Sequence, residues 1–324
     1  MDFDPGPNLQ ILSAQDTFTD AFILKLNPAG EFLWVKQISG PDNEFGTSIA
    51  VESNGNIYTG GSYLSLTDFN YGNTPALLPV DSLKTGNVDG FILALDTDGN
   101  FQWVKRVTGE GDSEVYGIAA SPGTQGGVYV VGYFDHELLV DDEGIPPIES
   151  SSSIVDIFFS KLDHDGNFRF LSSIGGPAYD FSQAIAVNPC TAPPTIYSTG
   201  FFSGTCDFDP GPNEFPLSSG GSSDIYVLKI DDLMTDVISL SKNELPDVCL
   251  YPNPVNEELE IKIPITQKVN IRILNSLGIL IQSFEATVEN TLIRVETSSI
   301  PSGIYFLQVN IGHQALSKKF IIAH

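Results

Sequence analysis

The segment Asp20–Leu26 (DAFILKL) decides the fold, because it returns three times along the chain. The copies are DGFILAL at 89–95, DIFFSKL at 156–162 and DIYVLKI at 224–230, at spacings of 69, 67 and 68 residues. Each copy is a short run of apolar, β-branched and aromatic residues, which is typical of a buried strand. A fixed period built from strand patterns predicts stacked β-units.

Other positions keep the same period. They are Trp34, Trp103 and Phe170; Gly40, Gly109 and Gly176; and the segments 48–51 (SIAV), 117–120 (GIAA) and 184–187 (AIAV). One period is predicted to contain strands at 47–52, 56–63, 90–96 and 101–107, with turns at Asn54-Gly55 and Asp96–Gly99. Asn-Gly and Asp-Gly pairs favour hairpins. Four antiparallel strands per unit predict a propeller blade.

The repeats do not form a whole number of blades. The chain opens inside an insertion, supplies two strands of one blade (21–26 and 32–38), and continues with two whole blades and a third whose fourth strand is predicted at 236–241. Boundaries near residues 46, 115 and 182 divide a region that spans 1–241. We therefore expect an all-β protein with an incomplete, open propeller of about three and a half four-stranded blades. Closed propellers usually have at least four blades, so we also expect an amino-terminally truncated gene product or gene model. The alternative is a genuinely small closed propeller.

A second domain follows. Residues 249–324 carry six acidic and six basic side chains and are therefore neutral. Residues 1–248 carry 35 acidic and 9 basic side chains and so account for the whole net charge of −26. This asymmetry marks a boundary, with a linker at 242–248. Beyond it, six or seven short strands separated by turns predict a small immunoglobulin-like β-sandwich at 249–324.

The charge and hydropathy exclude several partners. Nucleic acid is excluded because binding its phosphates requires clustered Lys and Arg. No apolar run reaches 18 residues, so no transmembrane helix is expected. The amino terminus also lacks the basic and apolar regions of a secretory signal. An acidic surface fits divalent cations or neutral glycans, or serves solubility alone.

The repeated pattern identifies a family. Over about residues 1–241, the chain resembles the SBBP-type β-propeller repeat of secreted bacterial proteins. The resemblance rests on five motifs in a fixed order: Asp-x-Phe-Ile-x-Lys-Leu, a turn with Gly, an aromatic-Val-Lys strand, Ser-Ile-Ala-Val, and Asn-Ile-Tyr-x-x-Gly. This resemblance implies a propeller fold but no single activity.

The tail resembles the type A carboxy-terminal sorting domain of the type IX secretion system of Bacteroidota. The matching residues are Tyr251, Pro252, Asn253, Pro254, Gly278, Pro301, Gly303, Tyr305, Lys318 and Lys319. The resemblance implies contact with the secretion machinery, passage across the outer membrane, removal of the domain, and a secreted or cell-surface location. Such proteins reach the periplasm through an amino-terminal signal, and its absence from this chain agrees with the expected truncation.

A calcium site is one hypothesis for the propeller. Asp2 with Asp4, and Asp207 with Asp209, place two carboxylates two residues apart before Pro-Gly. Oxygen ligands of this kind suit a hard cation. An Asx turn explains the same residues equally well. The hairpin pairs Asp96/Asp98 and Asp163/Asp165 are weaker candidates, since Asp-Gly is what the turn itself requires.

The three cysteines allow one local disulfide. Cys190 and Cys206 lie on either side of a predicted strand at 194–202, so they could pair across its ends. Cys249 would then be unpaired.

No catalytic constellation is visible. The four histidines (His136, His164, His313 and His324) show no metal-binding or nucleophile-activating spacing. The aromatic series Trp34, Trp103 and Phe170 fits interblade core or, alternatively, a sugar-stacking platform. We expect a non-enzymatic binding or adhesion module with a glycan or protein ligand. The alternative is a fragment of a secreted glycan- or peptide-directed hydrolase whose catalytic residues are missing.

Overall fold

The protein is represented by a computed structural model. It describes residues 1–14, 17–79, 87–122, 126–141, 144–151, 154–189, 194–210, 214–231, 248–262, 266–276, 278–289, 292–311 and 314–324. The chain divides into two compact units: Met1–Val187 with Ile196–Met234, and Asn188–Thr195 with Thr235–His324. The described residues form strands, turns and bends without any helix, which confirms the all-β class.

The first unit contains the predicted propeller repeats. An incomplete blade consists of β1 (Ala21–Leu26) and β2 (Phe32–Ile38). Blade one comprises β3 (Glu44–Val51), β4 (Ile57–Tyr63), β5 (Thr67–Asp68), β6 (Leu77–Leu78), β7 (Asp89–Leu95) and β8 (Phe101–Gly109). Blade two comprises β9 (Ser113–Ala120), β10 (Val128–Phe134), β11 (Glu137–Val140), β12 (Ile148–Glu149), β13 (Asp156–Leu162) and β14 (Phe168–Ile174).

Blade three comprises β15 (Asp180–Asn188), β16 (Thr195–Phe202), β17 (Thr205–Asp207), β18 (Pro216–Ser218) and β19 (Asp224–Asp231). Its predicted fourth strand at 236–241 lies outside the described residues. In blades one and two, four long strands pair antiparallel in sequence order, as in β9-β10-β13-β14. The short pairs β5-β6, β11-β12 and β17-β18 form an additional hairpin between the second and third long strands of each blade.

Each blade begins near a predicted boundary, at residue 44, 113 or 180. Its first strand begins at a buried polar residue, which is Glu44, Ser113 or Asp180. The backbone N–H of that residue donates to a carbonyl just before the third long strand of the preceding blade, at Thr19, Val88 or Val155, over 2.8 to 2.9 Å. This hydrogen bond extends the strand across the junction between blades, which a pattern of apolar residues does not reveal.

The turn between the third and fourth long strands is the same in the incomplete blade, blade one and blade two. The side-chain Oδ1 of Asn27, Asp96 or Asp163 accepts hydrogen bonds from the backbone N–H groups two and four residues later, at 2.8 to 3.0 Å. The glycine that closes each turn has a positive φ of 78° to 82°. These local bonds explain why the Asx-x-x-Gly sequences predicted the turns correctly.

The additional hairpins join successive blades. The bridges Ser39–Asp68, Gly109–Leu138 and Gly175–Asp207 attach each hairpin to the end of the preceding blade's fourth strand. A Cβ at Gly109 would lie 1.7 Å from the carbonyl oxygen of Glu137. The repeated glycine is therefore required by the close approach of the hairpin backbone.

An aromatic contact fixes three of the four hairpins on their own blades. The ring pairs Phe3–Phe22, Phe69–Phe91 and Phe208–Tyr226 have centroids 4.7 to 4.9 Å apart. The first pair shows that Met1–Ile11, closed by the Asp2–Ile11 bridge, is the hairpin of the incomplete blade.

Within the described residues, the expected opening of the propeller is seen at blade one. The first strand of blade one exposes Ile49 and Val51, which are 56% and 62% accessible. The equivalent strand of blade two is covered, because Gly117 brings it against Ile185 of blade three and Ile118 N–H donates to Ser48 of blade one.

The second unit is a two-sheet sandwich. Its strands are β20 (Cys249–Tyr251), β21 (Glu258–Lys262), β22 (Thr266–Asn275), β23 (Leu280–Glu289), β24 (Leu292–Glu296), β25 (Gly303–Ile311) and β26 (Gln314–Ile322). They form the sheets β20-β21-β24 and β23-β22-β25-β26. One core unites both sheets, including Leu259 and Val295 from the first and Ile271, Leu307 and Phe320 from the second. Val248, the only described residue of the predicted linker, is buried in this core.

Candidate functional site

The predicted calcium residues lie in Asx turns. Asp2 Oδ1 accepts from the backbone N–H groups of Asp4 and Gln10, at 3.2 and 2.9 Å. Asp207 Oδ1 accepts from Asp209 and Phe215, at 3.1 and 2.7 Å. Asp68 makes the same pair of bonds, two and eight residues ahead. The bonds from the Gln10 and Asp4 N–H groups hold the pKa of Asp2 below its usual value.

The structure thus shows the Asx-turn alternative, and calcium binding stays a prediction. Asp4 itself accepts from the Gly6 N–H at 2.7 Å. Within the described residues, no group of three or more His, Cys, Asp or Glu side chains is placed to hold a metal.

Cys206 does not support the predicted disulfide. It is a buried free thiol in the structure, and Cys190 lies outside the described residues. Burial, followed by the neighbouring carboxylates of Asp180 and Asp156, raises the pKa of this thiol well above its usual value.

Buried carboxylates occupy the blade junctions. Glu44 is 1% exposed, and burial raises its pKa to about 7. Burial also raises the pKa of Asp180 to about 6 and that of Asp156 above its usual value. Their hydrogen bonds are structural, since Asp180 accepts from the Gly176 N–H and Asp156 from the Ser151 N–H.

The repeated tryptophans belong to interblade packing. A Cβ on Gly99 would meet the Trp34 ring at 2.9 Å, and one on Gly166 would meet the Trp103 ring at 2.7 Å. Each tryptophan therefore covers the hairpin turn of the next blade. Trp103 Nε1 also donates to the His164 carbonyl at 2.8 Å.

A different aromatic cluster is accessible to ligands. Five rings on blades two and three are connected by ring-to-ring contacts, three of which involve Phe181. We call them the aromatic face: Tyr116, Tyr133, Tyr179, Phe181 and Phe201. The ring centroids are 5.7 Å apart for Tyr116–Tyr133 and 4.9 Å for both Tyr133–Phe181 and Phe181–Phe201. Tyr179 is 58% exposed, and the other rings are half-buried.

The first and second strands build this face. Tyr116 and Tyr133 lie on the paired strands β9 and β10, while Phe181 and Phe201 lie on β15 and β16. The Tyr133 hydroxyl donates to Glu114 Oε1 at 2.7 Å. Burial and the Glu114 carboxylate raise the pKa of Tyr133, so the phenol stays protonated at neutral pH.

Sequence analysis did not find the aromatic face. Blade one has Phe45 at the position of Phe181 but Ser62 at the position of Phe201, and blade two has Glu114 at the position of Phe181. The cluster as a whole therefore does not follow the 67-to-69-residue period. A search for aromatic residues that depart from the repeat would have found part of it.

The predicted motif of the second unit ties its beginning to its end. Asn253 Oδ1 accepts from the Ile321 N–H at 2.9 Å. Val255 pairs with Ile322 in a parallel bridge and is fully buried. Tyr251 is 69% exposed. The Tyr-Pro-Asn-Pro segment therefore fastens the last strand to the rest of the sandwich.

The remaining motif residues form turns and an edge strand. Gly278 has a φ of 77° in the turn that Asn275 caps. The buried Tyr305 donates its hydroxyl to the Pro301 carbonyl at 2.7 Å. A Cβ added at Gly303 would lie 3.5 Å from the Tyr305 ring. Lys318 and Lys319 lie on β26, opposite Leu307 and Phe306.

The terminal residue adds a contact that sequence analysis missed. His324 Nε2 lies 2.8 Å from the Ile300 carbonyl oxygen, and Nδ1 lies 3.0 Å from Asn256 Oδ1. A polar residue at a chain end carries no pattern that would predict this anchoring.

Comparison with known families identifies the type of domain in the second unit. Residues 249–323 match the family described as secretion system C-terminal sorting domain. This unit is a sorting domain. The sorting domain implies export through the type IX secretion machinery to the exterior or the cell surface.

The first unit carries a β-propeller repeat of the SBBP family, matched at residues 33–62. Two curated proteins are similar over about half of the chain. An uncharacterized WD repeat-containing protein of Acanthamoeba polyphaga mimivirus is 23% identical over 48% of this chain, and the regulatory protein FlaEY of Caulobacter vibrioides is 27% identical over 52%.

The matched regions make up only 12% and 17% of the lengths of those two proteins. Among the described residues, no helix has the length and apolar character needed to cross a membrane.

Proposed function

We propose that this chain is a secreted or cell-surface binding module, in which the propeller holds a ligand without catalysing a reaction. One observation carries the proposal: the aromatic face places five rings, connected by four ring-to-ring contacts, within reach of a ligand. Accessible aromatic rings provide large contact areas at a low cost in side-chain entropy. Export by the sorting domain would bring this surface to ligands outside the cell.

The position of the face supports the proposal. It spans the junction of blades two and three, since Tyr133 and Phe181 come from different blades. A site on paired strands of two packed blades is held more rigidly than one on loops.

Arrays of immobilised glycans and peptides test the proposal with the full chain. We expect binding that Tyr179→Ser weakens and Phe45→Ser leaves unchanged. Phe45 is a matched control, because it is 47% exposed on the first strand of blade one and lies outside the aromatic face. Absence of binding to every probe, or equal loss in both variants, would refute the proposed function.

The hydrolase alternative is tested in the same experiment. Mass spectrometry of the arrayed glycans and peptides after incubation would detect cleavage products. Cleavage that persists in Tyr179→Ser would favour a hydrolase over a binding module.

A further inference from the structure

We infer that the aromatic face binds cationic side chains, specifically the arginine or lysine side chains of an extended polypeptide outside the cell. This inference rests on the proposed binding function and names the chemical class of its ligand.

The geometry of the rings suits a cation. A guanidinium or ammonium group is attracted to an aromatic ring when it lies within about 6 Å of the ring centroid. The centroids of Tyr133 and Phe181 are 4.9 Å apart, and the Tyr116 and Phe201 rings extend the row on either side. Several rings can therefore contact one cationic side chain or two neighbouring ones.

A carboxylate completes the recognition of positive charge. Glu114 Oε1 accepts the Tyr133 hydroxyl at 2.7 Å, which places a negative charge beside the ring and increases the electron density of the phenol. Arginine forms charge-assisted hydrogen bonds with carboxylates and stacks on aromatic rings, so this pair fits both of its binding modes.

The charge distribution of the propeller leaves this position open to an external cation. The first and second long strands of blades one to three contain no lysine or arginine. In the described part of the propeller, every lysine and arginine lies on a third or fourth long strand: Lys25, Lys36, Lys105, Arg106, Lys161, Arg169 and Lys229.

The same chain already uses this kind of contact elsewhere. Lys161 Nζ lies 4.9 Å from the Tyr129 ring centroid, and Lys25 Nζ lies 5.9 Å from that of Trp34. Both pairs are internal. The aromatic face has rings of the same type and a carboxylate, but its cation would come from a ligand. The net charge of −26 would also attract cationic ligands over a distance.

Fluorescence anisotropy with labelled peptides tests the inference on the full chain. The probes are a peptide of alternating glycine and arginine and its glycine–glutamine counterpart, with a neutral maltooligosaccharide as the glycan probe. We expect the arginine peptide alone to bind, and Tyr179→Leu and Phe181→Leu to weaken it about tenfold each. Glu114→Gln should weaken it several-fold and reduce its salt dependence.

Control variants separate specific binding from general attraction to an acidic protein. Phe45→Leu and Asp98→Asn should leave the arginine-peptide affinity within about twofold, since neither residue touches the aromatic face. Equal affinity in Phe181→Leu and Phe45→Leu would overturn the inference. Tyr179→Leu keeps this test valid if Phe181→Leu fails to fold, because Tyr179 is largely exposed.

The outcomes also distinguish this inference from the proposed function. Binding of the maltooligosaccharide or of the glycine–glutamine peptide, with the same dependence on Tyr179 and Phe181, would overturn the cationic ligand and keep the binding module. Loss of all binding, including that on the arrays, would overturn both.

Discussion

Replacement of Glu44 by glutamine should stabilise the propeller above neutral pH. The Glu44 carboxylate is 1% exposed at the junction between the incomplete blade and blade one. It accepts hydrogen bonds from Thr67 Oγ1 at 2.9 Å and from the Gly40 N–H at 3.1 Å. Burial, and then the charge of Asp20, raises its pKa from 4.5 to about 7.

The direction of the pH dependence follows from proton binding. Between pH 4.5 and about 7 the folded state binds more protons at Glu44 than the unfolded state does. The free energy of unfolding therefore falls as the pH rises through this window. Without screening, the shift corresponds to about 3 kcal/mol, and solvent screening reduces it to roughly 1–2 kcal/mol. Asp180, whose pKa is raised to about 6, acts in the same direction.

Glutamine can keep both hydrogen bonds. Its carbonyl accepts from the Gly40 N–H, and its amide donates to Thr67 Oγ1, because that hydroxyl can donate to the Ser65 carbonyl at 3.0 Å. Glu44→Gln should thus raise the free energy of unfolding at pH 8 by about 1–2 kcal/mol and flatten its pH dependence between pH 5 and pH 8.

Urea unfolding followed by tryptophan fluorescence is the assay. Both tryptophans, Trp34 and Trp103, lie in the propeller, so the signal reports that unit alone. Asp98→Asn is the matched control, because it removes one negative charge from an exposed turn position. A Glu44→Gln curve that coincides with the Asp98→Asn curve at every pH, or a variant that is less stable than the parent at pH 8, would refute the reasoning.

Three further predictions follow from the hairpins and the sorting domain. Gly109→Ala should destabilise the propeller by about 2 kcal/mol or more, because its Cβ would overlap the Glu137 carbonyl. Gly46→Ala is the control, since a Cβ at Gly46 would have nothing within 4 Å. Equal melting temperatures of the two variants would contradict the prediction. Asp207→Ala should cost about 1–2 kcal/mol through the lost turn bonds, whereas Asp207→Asn keeps them. A chelator that lowers the melting temperature of the parent but not of Asp207→Asn would show calcium binding instead. Asn253→Ala should destabilise the sorting domain by about 1 kcal/mol and reduce export, because it removes the hydrogen bond from the Ile321 N–H. The tryptophan fluorescence of the propeller should not change. A rate of proteolysis of residues 249–324 equal to that of the parent would contradict the prediction.

The strands and turns of the blades could be predicted because their causes are local. Asp96 accepts hydrogen bonds from backbone N–H groups two and four residues away, and Gly99 has a positive φ in the same turn. A segment of a few residues therefore contains both residue types that predict the turn. The sorting-domain motifs are likewise fixed by their spacing, and the family match at 249–323 confirms them.

The aspartates of the hairpin loops show where local patterns become ambiguous. A pair such as Asp207 and Asp209 satisfies both a cation and an Asx turn, and only the positions of the backbone N–H groups separate the two. The residue types are identical in both cases, since both need oxygen acceptors.

The amino-acid sequence by itself determined the period, the four-stranded blade and the sorting domain, because the first follows from the recurrence of one segment and the others from residues within one repeat or one motif. Only the tertiary structure decided which side chains meet between blades. It buried Glu44 at a junction, attached each hairpin to the preceding blade, and assembled the aromatic face from Tyr133, Phe181 and their neighbours. These contacts join strands that are tens of residues apart, and the packing of one blade against the next sets their distances.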